Sequence, residues 1–302
     1  MKKITVFACL LVFLFSFLPA TDHENGISIA LSAETIQVPV SIKEFIFSRY
    51  EFQMNDLNII STGSLKDINA TESQNRLFLQ LLINNTKLFN AYAKAGVAQF
   101  TEKIDGGFKS KWQDEYRFPN EKGFNYTEHV EQGIASQPYN SFFWAIGSNI
   151  FIYRSKQLTL LTNIEYSKSH FKDLSLNLLY NYEQEEFRYI DEFSVKFNRA
   201  ENEMVKIGVQ ACTQGDVAPW INVGYLFYKT TYKGAYTSKY ITGLNFDSEI
   251  SDIQEFTTTS KPHTTLSISS GIKVKINSKF SAKAFASFGA TQGYGFSWEA
   301  LL

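Results

Sequence analysis

Cysteine is nearly absent from this 302-residue chain: there are two, and Cys9 lies inside the first twenty residues. Those residues, "MKKITVFACLLVFLFSFLPA", place Lys2 and Lys3 before an apolar run to Leu18 and small residues near Ala20. That is the build of a secretory signal peptide spanning residues 1–20, cleaved after Ala20. Its removal leaves Cys212 alone, so an internal disulfide is excluded as a source of stability. A basic excess is also missing. With 29 Lys and Arg against 30 Asp and Glu, nucleic acid is an unfavoured partner. Nor does any later stretch approach the roughly 18 to 20 consecutive apolar residues of a membrane helix. What is abundant is aromatic side chain, 16% of the chain, and it needs a home.

A period of two dominates the sequence after the signal, the mark of β-strands. In residues 88–100, Phe89, Ala91, Ala93, Ala95 and Val97 share one face, and Asn90, Tyr92, Lys94 and Gly96 the other. In residues 264–276, Leu266, Ile268, Ile272, Val274 and Ile276 oppose Ser267, Ser269, Gly271, Lys273 and Lys275. Residues 280–288 set Phe280, Ala282, Ala284, Ala286 and Phe288 against Ser281, Lys283 and Ser287. The final stretch, "GYGFSWEALL", alternates in the same way, with Tyr294, Phe296, Trp298, Ala300 and Leu302 on one face.

Alternation of this kind also suits a soluble sandwich or a lipocalin-like barrel. Two features decide against those. Aromatics gather at strand ends on the apolar face: Phe142, Phe143, Trp144, Tyr153, Tyr166, Tyr225, Phe227, Phe280, Phe288, Tyr294, Phe296 and Trp298 would form interfacial girdles. The connections, moreover, alternate between short turns ("NNTK", "SKQ", "TQGDV", "NSK") and long polar stretches at 53–75, 102–140, 170–203 and 230–263. Tight periplasmic turns and long external loops are the asymmetry of an outer-membrane barrel.

The expected fold is therefore all-β, a transmembrane antiparallel up-and-down barrel of ten strands over residues 43–302, with twelve as the alternative. Its strands are placed at 43–52, 76–83, 88–101, 141–154, 158–169, 204–212, 218–229, 264–276, 280–289 and 293–302. Residues 21–42 are read as a periplasmic lead-in, and 174–197 as an external hairpin extending the wall. A last strand of this kind needs no cap, because in a barrel it pairs with the first.

Three stretches carry a family resemblance: "FFWAIGSNIFIYRSKQLTLLTNIEYSKSHFKDLSL", "VAPWINVGYLFYKTTY" and "SSGIKVKINSKFSAKAFASFGAT". With them the chain resembles bacterial outer-membrane β-barrels, and more narrowly the small porin-like barrels and chlamydial major outer membrane porins. The chlamydial family is larger and rich in cysteine. The resemblance implies outer-membrane lipids and the barrel-insertion machinery as partners, the latter reading the aromatic last strand. Family members mostly end on Phe, whereas this chain ends on Leu302.

If the apolar faces meet lipid, Lys94, Asn149, Glu165, Lys206, Asn222, Lys273, Lys275, Lys283 and Glu299 face the lumen. Turning a Lys out to lipid would cost about 2 to 4 kcal/mol, which favours the inward assignment. A lumen with this lysine excess suits a porin-like route for small hydrophilic solutes with mild anion preference. Ten strands leave little interior space, so a barrel filled by its own side chains stays open as the alternative. Such a barrel would present binding loops, and residues 102–140 hold Trp112, Tyr116, Phe118, Phe124 and Tyr126 for a surface ligand.

A lipid-modifying enzyme is the third reading. It needs Ser and His on one face within reach, but Ser169 and His170 are adjacent and point oppositely. His23, His129 and His263 have no matching arrangement. The acidic stretch "NFDSEISDIQE" lacks calcium-loop spacing. No catalytic, cofactor or metal residue is therefore expected.

Overall fold

Residues Ile27–Ile42 form a single strand whose polarity inverts halfway along. In its first half Ile27, Ile29 and Leu31 face out, while Ser28, Ala30 and Ser32 face in. In its second half Ile36, Val38, Val40 and Ile42 are buried inside, and Gln37 and Ser41 face out. The pleat never slips, since Cβ direction alternates throughout. Only the chemistry of the two faces is exchanged.

A computed structural model describes the backbone of residues 26–54, 57–66, 68–84, 88–104, 107–117, 122–132, 138–172, 178–183, 189–242 and 251–302. The expected signal peptide and His23 lie outside the described residues, as do Phe118, Asp247 and Glu249. Sixteen strands are seen among the described residues. They are β1 (Ile27–Ile42), β2 (Phe45–Met54), β3 (Leu57–Lys66), β4 (Ile68–Asn84), β5 (Phe89–Ile104), β6 (Gly107–Arg117), β7 (Lys122–Gln132) and β8 (Tyr139–Arg154). There follow β9 (Leu158–Lys172), β10 (Leu178–Glu183), β11 (Tyr189–Thr213), β12 (Val217–Thr242), β13 (Ser251–Pro262), β14 (Leu266–Lys275), β15 (Phe280–Gly289) and β16 (Gln292–Leu301).

Ten of these close a ring: β1, β4, β5, β8, β9, β11, β12, β14, β15, β16 and back to β1. All its pairs are antiparallel, and the seam runs from Ser28↔Leu301 to Gln37↔Gln292. The tight connections at 155–157, 214–216 and 276–279 sit at one end with Ile27 and Leu301. At the other end β15 turns into β16 at Ala290 and Thr291, well short of the rim. Gly289 enters that turn at φ 88, and a Cβ there would lie 2.4 Å from the Leu266 carbonyl oxygen. Above the turn β12 exchanges β14 for β13 (Thr230↔Ser260), and β13 reaches over to β1 (Val40↔Pro262). The outer part of the barrel is thus closed by eight strands.

The expected strand count is met, with one stave exchanged. Residues 27–42, expected to be a lead-in, are the first barrel strand, bonded to β4 along their full length and to β16. The segment expected there, 43–52, falls in β2, which belongs to a separate sheet ordered β2-β3-β6-β7. This sheet rises from the outer rim, because β2 and β3 connect β1 to β4, and β6 and β7 connect β5 to β8. Within the stretch 174–197, Leu178–Glu183 form β10, outside the ring of ten, paired with Ile190–Val195 in the outer extension of the ring strand β11. Much of what reads as external loop is strand: β4, β5, β11 and β12 continue beyond their apolar stretches.

On the outer face the apolar positions form a belt. Leu77–Ile83, Phe89–Val97, Phe142–Ile152, Leu158–Tyr166, Val205–Thr213, Val217–Phe227, Leu266–Ile276 and Phe280–Phe288 contribute alternate residues to it. Phe142, Ile146, Ile152 and Phe288 are each more than half exposed. Apart from Leu77–Ile83, which is shorter, these segments have the roughly 9 to 11 residues of a tilted crossing. Above the belt the outer positions become Asn69, Thr71, Asn75, Gln99 and Lys103. Of the expected interfacial aromatics, Trp144, Tyr166, Tyr225, Phe280, Phe288, Tyr294, Phe296 and Trp298 occupy outer positions by register, and Tyr153 follows a bulge between Phe151 and Tyr153. Phe143 does not join them. It points inward and is fully buried, because it stands opposite Gly96 on the inner side of β5.

Candidate functional site

The inner face divides at the same level as the outer one. From the turn end upward it starts polar. Register places Lys94, Asn149, Glu165, Lys206, Asn222, Lys273, Lys275, Lys283 and Glu299 on the inner face. They do not form one ring. Near the turn end Glu299 accepts from Lys273 (2.6 Å), Ser28 (2.9 Å) and Ser281 (3.2 Å). Lys275, at the strand end, is exposed. Deeper in, Glu165 accepts from Lys94 at 2.5 Å and from the Tyr92 hydroxyl at 3.0 Å, with Lys206 opposite Glu165. Lys283 sits 4.2 Å from the centre of the Trp220 ring, a cation–π arrangement. Asn149 faces Asn90 and Asn163 on the neighbouring strands, and Asn222 faces Gln210. A cavity of about 70 Å³ remains between Glu34, Asn163, Lys206 and Asn222, room for about two waters.

Arg76 and Glu34 complete this polar half. Their ion pair is 3.1 Å long, and Arg76 also donates to Gln74 and lies 4.3 Å from the Phe143 ring centre. Arg76 was legible only as one polar residue in "SQNRLFLQ"; its parity with Phe78 and Gln80 is the signal that places it inside.

Around Arg76 and above it the lumen is packed. Phe78 meets Phe143 at 5.5 Å and Phe100 meets Phe171 at 4.7 Å, each pair joining strands two apart in the ring. Val38, Val40, Ile68, Ala98, Met204, Leu226 and Tyr232 are buried with them. The centre of this core is a carboxylate. Glu72, fully buried, accepts from Tyr228 (2.6 Å), Thr230 (2.5 Å), Tyr232 (2.7 Å) and Ser260 (2.6 Å). It thereby ties β4 to β12 and β13 across the interior. Glu102 stands directly opposite on β5, also buried.

Burial raises both carboxyl groups above the ordinary range. Glu102, which also feels the Glu72 charge, is pushed up to about 8. Four hydroxyl donors oppose that rise at Glu72 without cancelling it, and the two carboxyls titrate as one pair that holds its protons more tightly than free carboxyls do. Neither residue stands out in the sequence, because "NATESQN" reads as a polar loop.

His170 and His263 stand on different elements. His170 points outward beside Glu201 at 3.7 Å, and His263 lies in the exposed link between β13 and β14. Among the described residues no group of His, Cys, Asp and Glu has a metal-holding arrangement.

A closed antiparallel ring, an apolar outer belt, aromatics at its edges and charged groups kept inside define a transmembrane β-barrel of the bacterial outer-membrane type. No protein-family model matches the chain, and no curated sequence relative is found. Solved structures similar to it include the outer membrane protease OmpT from Escherichia coli, at 10% identity and a TM-score of 0.36, covering 95% of this chain and 98% of that one. The β-domain of the Bordetella autotransporter BrkA has 8% identity and a TM-score of 0.34, covering 91% and 98%. The toluene transporter TodX from Pseudomonas putida has 8% identity and a TM-score of 0.27, covering 95% and 89%.

Proposed function

We propose that the chain is a non-conducting outer-membrane barrel, delivered by the signal at residues 1–20, which holds a β-rich platform at the cell surface for binding. The observation that carries this reading is the packed outer half of the lumen, from Phe78 and Phe143 up to Glu72 and Tyr232. Diffusing solute would have to displace a core of ordinary protein density, and such cores do not part without a large cost. The platform is the β2-β3-β6-β7 sheet, whose β6–β7 hairpin carries Trp112, Tyr116, Phe124 and Tyr126. In this reading the barrel performs no catalysis, and outer-membrane lipids and the insertion machinery are its remaining partners.

The porin-like reading draws support only from the polar half, where Arg76, Lys94, Lys206, Lys273, Lys275 and Lys283 exceed Glu34, Glu165 and Glu299 among the described residues. The narrower chlamydial likeness adds nothing to it. Current across a planar bilayer holding the folded chain decides between the two. Silence is expected, whereas discrete steps with an anion-selective reversal potential would restore the porin. Deleting Gly107–Gln132 should abolish surface binding and leave the barrel folded.

A further inference from the structure

The outward face of β9, β11 and β12 carries charge that folding does not explain. Directly above the apolar belt, whose top row here is Tyr166, Val205 and Phe227, stand Lys168, Glu203 and Lys229 in register. Four residues further from the membrane, Lys172, Arg199 and Lys233 stand side by side on three neighbouring strands. Like charges placed directly opposite one another destabilise a sheet. Internal ion pairs relieve only part of this: Lys168 pairs with Glu203 at 2.8 Å, and Arg199 with Glu201. Lys172, Lys229, Lys233 and Lys261 hold no ion pair among the described residues.

The same face has a groove. Where β12 exchanges β14 for β13, the wall is notched, and about 390 Å³ opens between Tyr166, Val205 and Phe227 below and Glu203, Lys229, Lys261 and Pro262 above, with Glu203 engaged by Lys168 at 2.8 Å. Its floor is at the height of the belt, and its lip carries Lys229 and Lys261 against the single carboxylate of Glu203. A second groove of about 450 Å³ lies across β16, β1, β4, β5 and β8, with Tyr294 and Phe296 below and Gln99 and Asn140 above. That one has no outward cation on its lining, so shape alone does not distinguish the two.

We propose that the first groove binds a phosphorylated lipid of the outer leaflet, its headgroup phosphate on Lys229 and Lys261 and an acyl chain along Tyr166, Val205 and Phe227. A headgroup phosphate enters at the height where the belt ends, and basic side chains just beyond an apolar surface are the ordinary means of holding one. The Lys172, Arg199 and Lys233 row extends the positive field over the polar part of the headgroup.

Native mass spectrometry of the folded full chain in detergent tests this, with diphosphorylated lipid A, its dephosphorylated form and inorganic phosphate as probes. Retention of the phosphorylated lipid is expected, with about a tenfold loss in the K229A/K261A double variant. The K229R/K261R variant should keep binding, and Gln99→Ala with Asn140→Ala in the neutral groove should change nothing. Three outcomes overturn the proposal: equal retention of the dephosphorylated lipid, undiminished binding by K229A/K261A, or displacement by millimolar inorganic phosphate, which would mark a free-anion site. All four lysine substitutions are on exposed positions, so loss of fold does not confuse the result, and heat-modified mobility on a gel checks it.

Discussion

With Glu72 replaced by alanine, the outer half of the barrel is expected to lose about 3 to 5 kcal/mol of stability. The substitution removes the one acceptor shared by Tyr228, Thr230, Tyr232 and Ser260, and those hydroxyls are too deep for water to replace it. The loss should be local. Amides of β12 and β13 near Thr230 and Ser260 should exchange faster, while those of β14 to β16 in the belt stay protected. Unchanged exchange at Ser260 would show that the hydroxyl cluster holds without its carboxylate.

The same pair gives the outer half a pH dependence. Both glutamates bind their proton more tightly folded than unfolded, so their contribution is fully present below the ordinary value near 4.5. It declines as pH rises, and for Glu102 the loss is complete above about 8. Protection of β12 and β13 should therefore fall between about pH 5 and pH 8. Glu102→Gln keeps the neutral shape and should leave that region more protected at pH 8 and flatter across the range. A parent protein equally protected at both ends would contradict a carboxyl pair that binds its protons more tightly in the folded barrel.

The second large effect is positional. An arginine at Leu79 or Val209, on the outer face within the belt, should destabilise the refolded barrel by about 2 to 4 kcal/mol. At Ser73, six residues higher on the outer face of β4, or Thr231, on the outer face of β12 above the belt, the change should stay within about 0.5 kcal/mol. Urea unfolding of each variant in lipid vesicles measures both. Equal costs at all four positions would mean that the membrane reaches higher than the belt.

That division also explains what the sequence disclosed. β14, β15 and β16 lie within the belt for their whole length, so one face is apolar from end to end and simple alternation finds them. β1 escapes that test. Its apolar residues are odd-numbered up to Leu31 and even-numbered from Ile36, so a search in steps of two meets two short, contradictory runs. Residues 43–52 alternate more plainly, and they belong to the sheet above the rim. Long polar stretches resembled loops because the outer face of β4, β5 and β12 above the belt is wetted, leaving Asn, Thr and Ser where lipid-facing residues would stand. The inward lysines followed from the cost of showing them to lipid. Glu72 had no such signal, since its four donors lie more than 150 positions away in the chain.

The seam between β1 and β16 sets the order in which the barrel is made. Residue 28 pairs with residue 301, and contacts of such sequence separation are slow to form. Until β16 arrives, one edge of β1 from Ile27 to Gln37 presents unsatisfied amides and carbonyls, a template for any passing strand. The sealing of that edge is therefore expected to be the last event of the barrel's assembly rather than the first.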